Sequence, residues 1–173
     1  MSRTNTFSVR IFILLFGLLA ATSGCGYRVG SLLPAHMKTV AVPNFINRTL
    51  EPAIEIPVTN GVIERFQVDG TLEVVSEEDA DTLLIGEIID YKREGLRLSS
   101  TDDSTTEFRL TIAVRLTFKD LTTGEVLWVA DRVEGEAEFL PGASGPEAER
   151  AALPLVIEDL AEDVVSKVVD AGW

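Results

Sequence analysis

The sequence predicts a two-layer α+β domain, with a mainly antiparallel sheet of four to five strands and two helices on one face. Three observations favour this fold class. Residues 107–120 alternate apolar and polar side chains with a period of two, which is typical of a half-buried strand. Two segments, at residues 54–69 and near 146–170, repeat apolar residues at helical spacing. At 173 residues, the chain is long enough for one domain of ordinary size.

The elements are predicted in the order β-α-β-β-β-β-α. The first helix ends at Gly70, and the second runs from Pro146 to about Asp170 with one continuous apolar face. Gly86, inside the third strand, indicates a bulge or a close approach to the backbone. Gly124 closes a compact hairpin turn because glycine adopts a positive φ readily. The strands are predicted at residues 38–45, 71–75, 80–98, 107–120 and 125–139.

The composition excludes several classes of function. One cysteine rules out an internal disulfide, a CxxC redox pair and a cysteine-rich zinc site. A net charge of −13 argues against nucleic acid as a partner, since phosphate binding needs a basic surface. The chain has no GxSxG, HExxH or Walker A motif, and its acidic clusters lack EF-hand spacing. We therefore predict no enzymatic activity, no catalytic residue, no cofactor and no metal.

Residues 1–24 are predicted to be a lipoprotein signal peptide. Arg3 and Arg10 form a positive N-terminal region, and residues 11–21 are an uncharged run too short to span a bilayer. Small residues then lead directly to Cys25, as in a bacterial lipobox. We expect Cys25 to carry a diacylglycerol and an N-acyl chain, which together would hold the protein at a membrane. The alternative is an ordinary secretory signal that ends at a cysteine by chance.

The mature chain divides into a lipidated arm at residues 25–37 and a domain at residues 38–173. Gly26 stands where lipoproteins retained at the inner membrane often have Asp. By resemblance to that sorting rule, we expect the chain at the outer membrane, facing the periplasm and held by its lipid.

Basic residues concentrate on two strands predicted to be neighbours. In an acidic chain, such a strip could bind a phosphorylated amphiphile, because Arg forms bidentate contacts with phosphate. The alternative is ordinary charge on the outer face of the sheet, neutralised by Glu94 and Glu107. The candidate residues for this binding are Lys92, Arg93, Arg97, Arg109, Arg115 and Lys119.

The order of several short runs resembles the LptE family of lipopolysaccharide-assembly lipoproteins. No single run is specific, and the resemblance depends on their order and spacing over essentially the whole mature chain. The runs are CGYR (25–28), TVAVPNF (39–45), NRTLEP (47–52), IEIPVT (54–59), FQVDGTLEVV (66–75), GEVLW (124–128) and ERAALP (149–154), followed by the terminal Gly172-Trp173.

The resemblance implies a fold and a function. Members of that family have a four-stranded sheet with two helices on one side and no fixed catalytic residues. They plug the outer-membrane β-barrel LptD, help it to assemble, and help to deliver lipopolysaccharide to the cell surface. The implied partners are an LptD-type barrel, lipopolysaccharide and the membrane. Two alternatives stay open: a lipid-anchored scaffold subunit of a different envelope assembly machine, and a small periplasmic enzyme.

Overall fold

The computed structural model describes residues 33–98, 105–140 and 145–170. Within these ranges the chain forms two helices and a mixed sheet of six strands, which confirms the predicted α+β class. In chain order the elements are β1 (Thr39–Ala41), β2 (Ile46–Asn47), α1 (Glu55–Asp69), β3 (Glu73–Val74), β4 (Thr82–Leu98), β5 (Thr105–Asp120), β6 (Val126–Phe139) and α2 (Gly145–Asp170). The predicted signal peptide and Cys25 lie outside the described residues and stay predictions.

The strand count exceeds the predicted four or five because an additional strand, β2, follows the strand predicted at residues 38–45, of which residues 39–41 form β1. Pro43 cannot donate a backbone hydrogen bond to a neighbouring strand, and the chain forms β1 before it and β2 after it. Both segments pair in parallel with β4, β1 near Thr82 and β2 near Glu87. The short strand β3 pairs in parallel with β1, as expected for two strands connected through a helix.

The three long strands β4, β5 and β6 form an antiparallel meander, and the sheet order is β3-β1-β4-β5-β6. The predicted turn between β5 and β6 is confirmed. Gly124 has a φ of 76°, and its N–H donates to the carbonyl oxygen of Asp120 at 2.9 Å. A bulge in β4 between Ile88 and Asp90 shifts its register against β5 by one residue.

The core lies between the sheet and the helices, which pack on one sheet face as predicted. The apolar side of β5 is fully buried there. Burial of each of its large side chains stabilises the folded state by about 1.5–3 kcal/mol. The buried residues are Leu110, Ile112, Val114, Leu116 and Phe118 on β5, Val58, Val62 and Phe66 on α1, and Val156, Leu160, Val164 and Val168 on α2.

Two glycines permit close packing on that face. A Cβ atom at Gly86 would overlap the ring of Phe45, so the predicted close approach is confirmed. At Gly135 on β6, a Cβ atom would lie 2.5 Å from both the carbonyl oxygen of Val156 and the Cβ of Leu160. Helix α2 therefore rests directly on the backbone of β6.

Candidate functional site

The sheet face opposite the helices carries most of the predicted basic strip. On its central strand β5, Thr111 and Ala113 are buried although no helix covers them. They lie between longer polar side chains of the flanking strands, since Lys92 and Glu136 are in register with Thr111, and Asp90 and Glu134 with Ala113. We call this surface the charged face. Its chemistry is decided by how these side chains pair.

Arg115 lies near carboxylates on both flanking strands. Its NH1 atom is 3.6 Å from an oxygen of Glu87 on β4, and its Nε is 3.7 Å from Asp131 on β6. Glu87 also accepts a hydrogen bond from Arg48 at 3.1 Å. The Arg115 side chain is 48% exposed, so solvent screens these ion pairs and each adds little to stability.

Arg109 is paired more tightly, with two carboxylates of β6. Its NH2 donates to Glu138 at 2.8 Å, and its Nε lies 3.4 Å from Glu136. The hydrogen bond to Glu138, supported by the charge of Glu136, raises the pKa of Arg109. The Nζ atom of Lys92 lies 2.5 Å from a carboxylate oxygen of Glu94. The alternative interpretation of the strip as ordinary outer-face charge named Glu94 as a neutralising residue.

Arg132 on β6 is a charged-face residue that sequence reasoning missed. It donates to Asp90 across the sheet at 3.2 Å and to Glu134 on its own strand. These hydrogen bonds, the one to Glu134 first, raise the pKa of Arg132. An alignment of the two strands predicted at residues 107–120 and 125–139 would have been the signal. Only in the correct register do Arg132 and the carboxylates of β6 fall on the same sheet face as the predicted cations.

The structure does not bring the whole strip together. Arg93 lies on the helix side of the sheet, where it donates to Glu149 of α2 at 2.9 Å. Its guanidinium also lies 5.4 Å from the ring centre of Phe108. Tyr91 donates to the other oxygen of Glu149 at 2.9 Å, and burial, followed by this hydrogen bond, raises the pKa of Tyr91.

The two remaining strip residues add little to the charged face. Lys119 is partly buried, with Leu83 and Val126 as its neighbours in register, so this end of the face is more apolar. Arg97 belongs to β4, but its side chain lies outside the described part of the chain. The charged face thus consists of Arg and Lys side chains interspersed with carboxylates, and it is not a strip of cations alone.

Two aspartates hold the segment where the arm ends and β1 begins. Asp81 accepts from the N–H of Lys38 at 2.9 Å and of Thr39 at 3.1 Å, and the hydrogen bonds from Lys38 and Thr39 lower its pKa. His36 Nε2 donates to Asp120 at 3.0 Å. Burial alone would raise the pKa of Asp120, but hydrogen bonds from His36 and the turn amides outweigh it and lower that pKa to about 2.

A groove between the two helices forms an open cavity of about 630 Å³. Its floor includes Gly61, Leu153 and Ile157, and its rim includes Arg65 and Arg150. Arg65 is held at one rim by Glu162 at 3.4 Å. The groove has no buried group arranged for chemistry.

The described residues contain no group of three or more His, Cys, Asp or Glu side chains placed to hold a metal ion. Neither described helix is both long and apolar enough to cross a membrane.

The fold belongs to a class of small α+β domains, and some solved members of this class are described as lipoproteins. A variant of the PelC dodecamer from Paraburkholderia phytofirmans has a TM-score of 0.54 and 17% identity, over 82% of this chain and 95% of that chain. A minor lipoprotein from Acinetobacter baumannii has a TM-score of 0.51 and 13% identity, over 76% and 92%. A protein from Xanthomonas campestris has a TM-score of 0.54 and 13% identity, over 79% and 88%. At these identities the likeness shows the fold.

The family follows from the sequence. Residues 37–168 match the model of the LptE family, described as lipopolysaccharide-assembly, and this match covers most of the chain. The chain belongs to the LptE family, as the resemblance predicted. It is a lipopolysaccharide-assembly lipoprotein by that membership, in a family of transport components that sit in the outer membrane. A search of curated protein sequences found no match.

Proposed function

We propose that this chain, held at the outer membrane by lipids on Cys25, plugs an LptD-type β-barrel, helps it to assemble and assists lipopolysaccharide insertion into the outer leaflet. The observation that carries the proposal is the family match over residues 37–168. The charged face supports it, because a three-stranded surface of paired charges suits the polar wall of a barrel lumen.

The basic strip of this proposal is the charged-face set Lys92, Arg109, Arg115 and Lys119. The carboxylate partners of Lys92, Arg109 and Arg115 are partly exposed, and exposed ion pairs contribute only about 0–1 kcal/mol. A phosphate of lipopolysaccharide could therefore displace a carboxylate from Arg109 or Arg115 at small cost, and gain a bidentate contact. Arg93 can contribute to lipopolysaccharide binding only from the helix side of the sheet, where it donates a hydrogen bond to Glu149.

Depletion of the chain in its own bacterium tests the proposal. We expect the amount of folded barrel, scored by heat-modifiable migration of LptD in gels, to fall together with lipopolysaccharide at the cell surface. Re-expression of the wild-type chain should restore both. Unchanged folded barrel and unchanged surface lipopolysaccharide after depletion would overturn the proposal.

A second candidate is a lipid-anchored scaffold subunit of a different envelope assembly machine. It is favoured by the fold shared with PelC, which is described as a dodecamer. The two functions differ in their assembly, since a plug acts as one copy per barrel. Light scattering of the purified lipoprotein in mild detergent separates them: a monomer favours the plug, and a closed ring of many copies favours the scaffold.

A further inference from the structure

The free edge of β6 is a second surface with binding potential, distinct from the charged face. Among the described strands, β6 pairs with β5 alone along Val126–Phe139. The N–H of Glu136 points away from β5 and already has a partner, since it donates to Asp159 of α2 at 2.9 Å. Because amide direction alternates along a strand, Glu134 and Glu138 present their amides on the same edge. Such an edge is a template for another strand.

Helix α2 gives this edge a wall. The helix rests on Gly135, and beyond it an open cavity of about 400 Å³ lies between the edge and the C-terminal half of α2. Its lining residues are Arg132, Val133, Glu134, Asp163 and Lys167. An extended segment added to β6 would therefore lie beside a helix, with alternate side chains directed into this cavity. Strand addition in protein–peptide recognition combines such backbone pairing with side-chain pockets.

The charge of this edge selects its occupant. Carboxylates line it on the strand and on the helix wall, and two cations, Arg132 and Lys167, lie among them. Arg109 and Arg115 offset part of this charge from β5, since Arg109 pairs with Glu136 and Glu138 and Arg115 lies near Asp131. The exposed carboxylates include Asp131, Glu136 and Glu138 on β6 and Asp159 and Asp163 on α2, with partly buried Glu134 between them.

A second copy of the chain does not suit this edge in a two-fold arrangement. Two β6 strands paired about Glu134, Gly135 or Glu136 would place carboxylates opposite carboxylates, and like charges directly opposite each other destabilise a sheet. A strand that carries cations at alternate positions would instead place each of them opposite a carboxylate.

We propose that the β6 edge binds an extended segment of a partner protein by strand addition, and that this segment carries Lys or Arg at every second residue. Backbone pairing to the amides around Glu134 supplies the binding, and the acidic strand and helix wall select the basic sequence. The proposal does not depend on LptD being the partner.

Peptide binding to the mature lipoprotein in non-ionic detergent tests this proposal. The probe is a capped, fluorescent eight-residue peptide of alternating Lys and Val, and its matched control has one central Val replaced by Pro. The charge is the same, but Pro lacks the N–H that the ladder needs. We expect the Pro peptide to bind at least about tenfold more weakly, and an alternating Glu–Val peptide to show no binding.

Two variants and one measurement on the wild type locate the site. Glu134→Pro removes an outward amide and should raise Kd at least about tenfold, whereas Glu134→Gln removes only the charge and should raise Kd about twofold to threefold. Hydrogen exchange on the wild-type protein should show protection of β6 amides by the Lys–Val peptide, which keeps the test independent of how Glu134→Pro folds.

Three results would overturn the proposal. Equal affinity for the Lys–Val and Pro peptides would mean simple charge attraction without strand pairing. Protection confined to the free part of β4, at residues 90–98, would place binding on the wrong edge. Protection of β6 by concentration-dependent self-association, without added peptide, would make a second copy the occupant.

Discussion

Asp120 is the residue whose ionisation matters most to the described end of the arm. It is buried at the end of β5, and its carboxylate accepts hydrogen bonds from His36 and from the turn amides of Thr122 and Thr123. These contacts stabilise the charged form, so the pKa of Asp120 in the folded protein lies near 2, below its ordinary value of 3.8. The pKa of Asp81, which accepts hydrogen bonds from Lys38 and Thr39, is lowered as well.

The sign of the pH dependence follows from this lowered pKa. The ionised Asp120 stabilises the fold fully above its ordinary pKa of 3.8, and this stability is lost as pH falls through that value towards 2. At pH 7 we expect Asp120→Asn to lower the free energy of unfolding by on the order of 1–2 kcal/mol. The difference in the free energy of unfolding between wild type and Asp120→Asn should narrow as pH falls from 5 to 2.

Urea denaturation at a series of pH values measures that gap. Asp131→Asn is the matched control, because the Asp131 side chain is 91% exposed and its loss should leave stability nearly unchanged. A gap between Asp120→Asn and wild type that stays constant from pH 5 to 2 would contradict the role assigned to this carboxylate.

At the scale of elements, the position of α2 depends on the absence of a side chain at Gly135. Gly135→Ala would press a methyl group against the backbone carbonyl of Val156, and a helix backbone yields less readily than a flexible side chain. We expect a loss of about 1–3 kcal/mol in the free energy of unfolding, measured by urea denaturation. Glu138→Ala, on the opposite face of the same strand, should cost under about 1 kcal/mol. Similar small losses for both variants would show that α2 does not rest on β6 as described.

The charged face yields a second prediction at this scale. Arg109→Glu combined with Arg115→Glu should weaken lipopolysaccharide binding at least about tenfold, because two sites for bidentate phosphate contacts become acidic. Arg65→Glu combined with Arg150→Glu makes the same charge change at the helix groove and should leave binding within about twofold. Surface plasmon resonance with immobilised lipopolysaccharide measures both. Unchanged lipopolysaccharide binding after the Arg109→Glu and Arg115→Glu substitutions would show that the basic strip is not the binding site.

The long elements were predictable from sequence because each repeats its pattern many times. The predicted strand at residues 107–120 corresponds to β5, and the predicted helices to α1 and α2, with ends shifted by a few residues. Strand β3 lies within the strand predicted at residues 71–75, whereas β2 was not predicted, because its two residues are too few to show any periodicity. Their pairing comes from tertiary contacts that a local pattern does not contain.

The strip shows why the candidate site was harder to predict than the fold. Before the bulge at Ile88 and Asp90, even-numbered residues of β4 face the helices, as Leu84 does. After the bulge the odd-numbered residues face them, so Arg93 points towards Glu149 while Lys92 reaches the charged face. A shift of one residue exchanges the two sheet faces, and the sequence marks Gly86 rather than this bulge.

At the scale of the whole molecule, Cys25 is predicted to decide where the domain acts. We expect Cys25→Ser to move the chain from the outer-membrane fraction to the soluble periplasmic fraction or to leave it uncleaved, because the acyl chains cannot be attached. Fractionation with intact-mass measurement checks this, and Thr22→Ser, which keeps a small residue before the cysteine, is the control. A Cys25→Ser chain that is cleaved and still found in the outer membrane would contradict lipid anchoring.

The central claim is that the domain works as a single copy inside one barrel. The most direct measurement is a mild-detergent pull-down of the tagged mature lipoprotein from outer membranes, with partners identified and counted by mass spectrometry. We expect one large LptD-type β-barrel at about one copy per chain. Recovery of the chain alone, or with a different envelope complex and without the barrel, would contradict the claim.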